Sequence, residues 1–98
     1  MTIKDTKKII AVITATYPGY YRTFSQEMLD NLVRAWFALF KEYDYEDANT
    51  GLQRFMKSDN TGFPPSPGQV IAKIPSKYEK FLEEAIKIDQ HNLRRRPG

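Results

Sequence analysis

From Ser25 to Tyr43 the chain reads SQEMLDNLVRAWFALFKEY, with apolar residues recurring every three or four positions. Met28, Leu32, Ala35, Trp36 and Leu39 fall on one side of a helix. Leu29, Val33, Phe37 and Phe40 fall beside them, so well over half the circumference is apolar. A helix of that kind does not sit on a surface. At about nineteen residues and roughly 28 Å, the stretch over about 25–43 is expected to be a central post with neighbours on several sides. Ser25 precedes the first turn and Gln26 and Glu27 lie just inside it. That order suits an N-cap hydroxyl satisfying free amides, with an acid near the positive end of the helix dipole.

Upstream, Thr2 to Thr16 places Ile9, Ile10, Val12 and Ile13 at spacings of three and four after the pair Lys7-Lys8. Its β-branched content would also suit a strand, but the lysine pair and the length favour a helix. Tyr17-Pro18-Gly19 ends it, since proline cannot continue a helix and disfavours the helical region for the residue before it. Tyr20, Tyr21 and Phe24 follow as a cluster of rings. They read as a hydrophobic clamp on the end of the post; a base-stacking platform would carry interleaved basic residues, and only Arg22 is present.

Downstream, Asp44 suits the cap of another helix, with Glu46 and Asp47 in its first turn and Ala48, Leu52, Phe55 and Met56 as the inward stripe. The four acids Glu42, Asp44, Glu46 and Asp47 lack the ligand spacing, central glycine and final glutamate of a calcium loop. Gly51 weakens this helix by about 1 kcal/mol relative to alanine, which points to close approach of another helix there. Ser58 to Gly62 is turn chemistry, and Phe63-Pro64-Pro65 an extended strut. Ser66 then caps a short helix, Pro67 to Ile74, with Pro67 at the first position and Gln69 completing a capping box. It presents Val70, Ile71 and Ile74 and stops before Pro75. The same prolines form a PxxP ligand for an aromatic groove only on a competing reading.

The last segment, Ser76 to Arg96, puts Tyr78, Phe81, Leu82, Ala85 and Ile88 along one helical side and Lys77, Lys80, Glu83, Glu84 and Lys87 along another. It either docks as a fifth member of the bundle or stays partly unfolded until a partner covers it. Arg94, Arg95 and Arg96 suit the negative end of a helix dipole and ordinary solvation, with phosphate contact as the alternative. Together the elements predict an all-α fold, a compact bundle of four to five helices around the central apolar helix, with a helical bundle domain over 1–75 and an amphipathic, basic helix or flexible tail over 76–98.

Composition narrows the class further. The chain has 98 residues, enough for one domain with a single core, and no cysteine, which fits a reducing cytoplasm. Residues 1–62 hold eight basic and eight acidic side chains, whereas 63–98 hold seven basic and four acidic, so the whole net charge of +3 sits in the C-terminal third. Charge faces a partner there, if anywhere. The apolar run Ile9 to Ile13 is too short for a membrane span. There is no phosphate-binding glycine loop, no G-x-S-x-G elbow and no HExxH, and the one histidine is His91. The residues alone therefore predict an interaction module with no catalytic residue, metal or cofactor, and not an enzyme.

Tyr17-Pro18, then Trp36 and Leu39 in a long helix, then Tyr43-x-Tyr45-x-x-Ala48, then Phe55, then Phe63-Pro64-Pro65-Ser66-Pro67-Gly68-Gln69-Val70-Ile71 is an ordered set. Over about residues 5–75 it resembles the phage replicative-helicase loader and inhibitor family. The matching residues Pro18, Trp36, Tyr45, Phe63, Pro64, Ser66 and Gly68 are scaffold positions. The resemblance implies a small helical domain with a C-terminal region that orders on the hexameric replicative helicase. It further implies that the chain binds the ATP-bound form, suppresses its activity and delivers it to an origin-bound initiator in the bacterial host cytoplasm, without hydrolysing ATP. Partner binding is expected on Phe81, Leu82, Ile86, Ile88 and Leu93, with Arg94, Arg95 and Arg96 steering. Membrane and direct nucleic-acid partners are not expected. The alternatives are a DNA-binding module and an inhibitor of host replication proteins.

Overall fold

The computed structural model describes residues 1–95, and side-chain surroundings through Ile88. Six helices follow in order, with no strand among the described residues: α1 (Ile3–Thr16), α2 (Pro18–Tyr21), α3 (Gln26–Phe40), α4 (Tyr45–Ser58), α5 (Pro67–Ile71) and α6 (Lys77–Arg95). The fold is all-α, as expected. α2 is the one-turn helix that the proline at its first position starts, where a missing N–H costs nothing.

Local chemistry places most of the helix starts. Thr2 Oγ1 accepts from the Asp5 amide while Asp5 Oδ2 accepts from the Thr2 amide, a capping box opening α1. Ser25 Oγ accepts from the Met28 amide at the head of α3. Ser66 and Gln69 form the expected box on α5. Asp44 holds the N-cap position of α4, but its side chain makes no capping bond. α5 is shorter than Pro67 to Ile74: the helix closes at Ile71, and Lys73 and Ile74 donate in tighter turns to Val70 O and Ile71 O. The restriction that Pro75 places on Ile74 acts through that last turn.

The core joins Ile9, Ile10 and Ile13 of α1 to Val33, Trp36 and Phe40 of α3, Ala48 and Leu52 of α4, and Val70 of α5. Trp36 and Phe40 stack almost parallel, centroids 5.3 Å apart. Thr6 is buried among the isoleucines, and its hydroxyl donates to Thr2 O at 3.1 Å, so its burial leaves no polar atom unpaired. The anticipated close approach at Gly51 is between α4 and α5: a Cβ there would stand 2.6 Å from Val70 O and 3.1 Å from Ile74 Cγ1.

The expectation of a central α3 is not met. α3 buries Val33, Trp36 and Phe40 along one side, while Met28, Ala35 and Leu39 are exposed. α1 is instead the helix that packs on three others, α2, α3 and α4. A body of five helices, two of them only one turn long, has too few neighbours to ring a fifteen-residue helix, so α3 gets one close partner and keeps an open flank. Tyr21 covers part of the core and meets Phe24 edge-on at 5.0 Å, in keeping with a clamp of rings, while Tyr20 faces outward.

Two long-range polar ties close the body. The Met1 ammonium donates to Lys41 O (2.8 Å) and Tyr43 O (2.7 Å) beyond the C-terminal end of α3. The Tyr17 hydroxyl donates to Asp59 Oδ2 at 2.9 Å, while Asp59 Oδ1 accepts from Thr61 N and Oγ1. Burial first, then the Asp59 contact, raises the Tyr17 pKa above its ordinary value, and the Thr61 hydroxyl chiefly lowers that of Asp59.

Candidate partner-binding site

α6 begins with a serine cap: Ser76 Oγ accepts from the Glu79 amide at 3.0 Å and Ser76 O from the Lys80 amide. Pro75 directly before it prevents α5 and α6 from merging, so the chain can change direction between them. Its first turn is tied to α4 by the two ion pairs seen among the described residues. Arg54 Nη1 meets Glu79 Oε2 at 2.9 Å and also donates to Lys73 O, and Lys80 Nζ meets Asp47 Oδ2. The bond to Asp47 raises the Lys80 pKa. Past this latch α6 leaves the body. The radius of gyration is 17.3 Å, against about 13 Å for a compact chain of this length, and the long axis reaches 62 Å.

Everything apolar on the described part of α6 is therefore open. Tyr78, Phe81, Leu82, Ile86 and Ile88 are 40–70 % exposed. Tyr78, Phe81, Leu82, Ala85 and Ile88 share a side by their helical spacing, and Ile86 widens it. Of the residues expected to bind a partner, the structure brings Phe81, Leu82, Ile86 and Ile88 onto this one exposed helix. The side chains of Leu93, Arg94 and Arg95 and the whole of Arg96 lie outside the described residues. Tyr78, the most exposed of the set, belongs with them and was legible from its place in the same stripe. Arg54 and Asp47, which aim the helix, carried no local signal, because their partners lie 25 and 33 residues away.

The alternative surfaces hold less. Pro65 is buried and Pro64 half-buried against the body, so the PxxP segment is part of the scaffold, with Phe63 alone projecting from it. Among the described residues no three His, Cys, Asp or Glu side chains stand close enough to share a metal ion, and no helix is long and apolar enough to cross a membrane.

Comparison with known proteins bears on the body rather than on α6. No curated protein and no solved structure matches the chain. The family model for the N-terminal domain of the phage gene 39 protein, a helicase loader and inhibitor, matches residues 1–71. That is the span from α1 through α5, and it ends before α6. With nearly three quarters of its length matched, including the Trp36 core and the Ser66–Gln69 box, the chain belongs to the gene 39 protein family of phage helicase-loader and inhibitor proteins, and is a helicase-interacting protein.

Proposed function

We propose that this chain is a phage replication protein that binds the hexameric replicative helicase in its ATP-bound form, holds it inactive and helps to load it at an origin through an initiator. The observation that carries this reading is the bare apolar side of α6, set on a family body that ends just before it. The body, α1 to α5, acts as the holder, and α6 lays Tyr78, Phe81, Leu82, Ile86 and Ile88 into an apolar groove on the helicase. Each large side chain fully covered contributes about 1.5–3 kcal/mol. The excess basic charge of the C-terminal third, Arg94, Arg95 and Arg96 included, steers the helix toward an acidic surface and sets the on-rate more than the affinity. Holding side chains of a projecting helix in place costs conformational entropy, so the complex is of moderate affinity and reversible, as a loader that must release its cargo requires. The chain itself performs no chemistry and needs no cofactor, and it works in the bacterial host cytoplasm.

The test is capture of the replicative helicase, in the presence of a non-hydrolysable ATP analogue, by the full chain and by Phe81→Glu/Ile88→Glu. The native chain is expected to retain the helicase and, in a parallel assay with ATP, to suppress its ATPase; the double variant is expected to lose both effects while keeping its helical circular dichroism. Undiminished binding by a folded double variant would remove α6 from the interface. Binding of duplex DNA by the native chain, falling steeply with salt, would instead favour the DNA-binding alternative. Capture of a host helicase in preference to the phage one would place the protein among inhibitors of host replication.

A further inference from the structure

α6 is held to the body by its charged side. At about 100° per residue, Glu79 and Lys80 lie opposite the middle of the stripe formed by Tyr78, Phe81, Leu82, Ala85 and Ile88, and Glu83 and Lys87 continue that charged side along the helix. Exposure in the first turn agrees. Glu79, paired with Arg54 of α4, is half-buried, while Tyr78 before it and Phe81 after it are 70 % and 65 % exposed. Burial of apolar surface by itself would set the stripe on the body rather than the charges. The two ion pairs set the helix the other way round.

The pairs also select one orientation. Asp47 and Arg54 stand on the same side of α4, two turns and about 10 Å apart along its axis. They carry opposite signs and meet adjacent residues of opposite sign, Lys80 and Glu79. Exchanging the partners would set Lys80 on Arg54 and Glu79 on Asp47, two repulsions, so one way of crossing α4 satisfies both. Asp44 and Glu46 add to the attraction for Lys80. Arg54 Nη1 donates to Lys73 O as well as to Glu79 Oε2, so a single guanidinium holds both sides of the Pro75 joint. The side before the joint is fixed, because Val70 and Ile74 lie directly on Gly51. We propose that Asp47, Arg54, Glu79 and Lys80 form a two-point electrostatic latch across Pro75, which turns the charged side of α6 to α4 and presents its apolar stripe outward. The pairs are exposed and screened by salt, so the latch biases the helix and opens reversibly. A stripe already turned outward lowers the ordering cost of binding. That purpose rests on reading α6 as the helicase-binding helix; the latch itself is a property of the free chain.

The chain has no cysteine, so nitroxides on Ala38→Cys in α3 and Glu84→Cys in α6, both exposed positions, report their separation in the free full chain by double electron–electron resonance. At an ionic strength of about 10 mM one narrow distance distribution is expected, and at about 1 M, where the screening length falls to about 3 Å, one about twice as wide. Lys80→Glu sets an acid against Asp47 while suiting the positive end of the α6 dipole. It is expected to widen the distribution at low salt with the helical circular dichroism unchanged. Adding Asp47→Lys remakes the pair with its signs exchanged and is expected to narrow the distribution again. Lys87→Glu makes the same charge change on the same side of α6, beyond the latch, and is expected to leave it narrow. A distribution already wide at low salt, one that neither high salt nor Lys80→Glu widens, one that Lys87→Glu widens equally, or a widening that Asp47→Lys does not reverse would each overturn the latch. No helicase is present in these measurements, so failure of the latch and failure of the helicase contact, read with Phe81→Glu/Ile88→Glu, are told apart.

Discussion

Gly51 shows how far a single residue can be read. A glycine inside an amphipathic helix is unfavourable by itself, so its presence signals that something lies where a side chain would be, and in the structure that is the Val70 carbonyl. Gly51→Ala gains about 1 kcal/mol of helix propensity but drives a methyl group into that backbone oxygen, so we expect a net loss of about 2 kcal/mol in urea unfolding. Asp59 is the opposite case. Its sequence context shows a turn, and nothing local reveals that it accepts from Tyr17, 42 residues away. Its pKa lies below the ordinary 3.8 when folded, so its contribution is complete above that value and is lost as pH falls through the lower folded one. Asp59→Asn is therefore expected to flatten the stability curve below about pH 4 in acid titrations followed by circular dichroism. Tyr17 runs the other way. Its pKa is raised above 10.0, so its contribution is complete below pH 10.0 and is lost as pH rises through the folded value, a dependence that Tyr17→Phe should remove.

The helices themselves were legible because their boundaries are set by groups within a few residues of each other. Ser25, Ser66 and Gln69 do what their spacing says, and Pro18, Pro67 and Pro75 sit where a missing N–H or a restricted φ dictates. Ser66→Ala removes the acceptor for the Gln69 amide, while the bond from the residue 66 backbone amide to Gln69 Oε1 can persist, and is expected to cost about 1 kcal/mol in the same urea assay. The α3 flank was misjudged for a different reason. Periodicity tells which side of a helix is apolar but not how many neighbours exist to cover it, and here α1 covers one side only. The excess apolar arc that suggested a central post is better explained as one core-facing stripe beside an open one.

For the assembled protein, the binding proposed for α6 is separable from stability. Phe81 and Ile88 touch little of the body, so Phe81→Glu/Ile88→Glu is expected to change the unfolding free energy by less than about 0.5 kcal/mol even where it abolishes helicase capture. A core variant would move both together. The direction of α6 depends on Arg54–Glu79 and Lys80–Asp47, side chains exposed enough that both pairs are screened by salt and add little to stability. The helix types, their caps, the turns and the apolar stripe of α6 followed from the order of residues, because each is fixed by hydrogen bonds, backbone restrictions and periodicity acting over a few positions. Which helix lies at the centre, which apolar faces stay open and where α6 points required the packed structure. Those are set by how few helices must share one small core and by contacts between residues tens of positions apart, which no local pattern encodes.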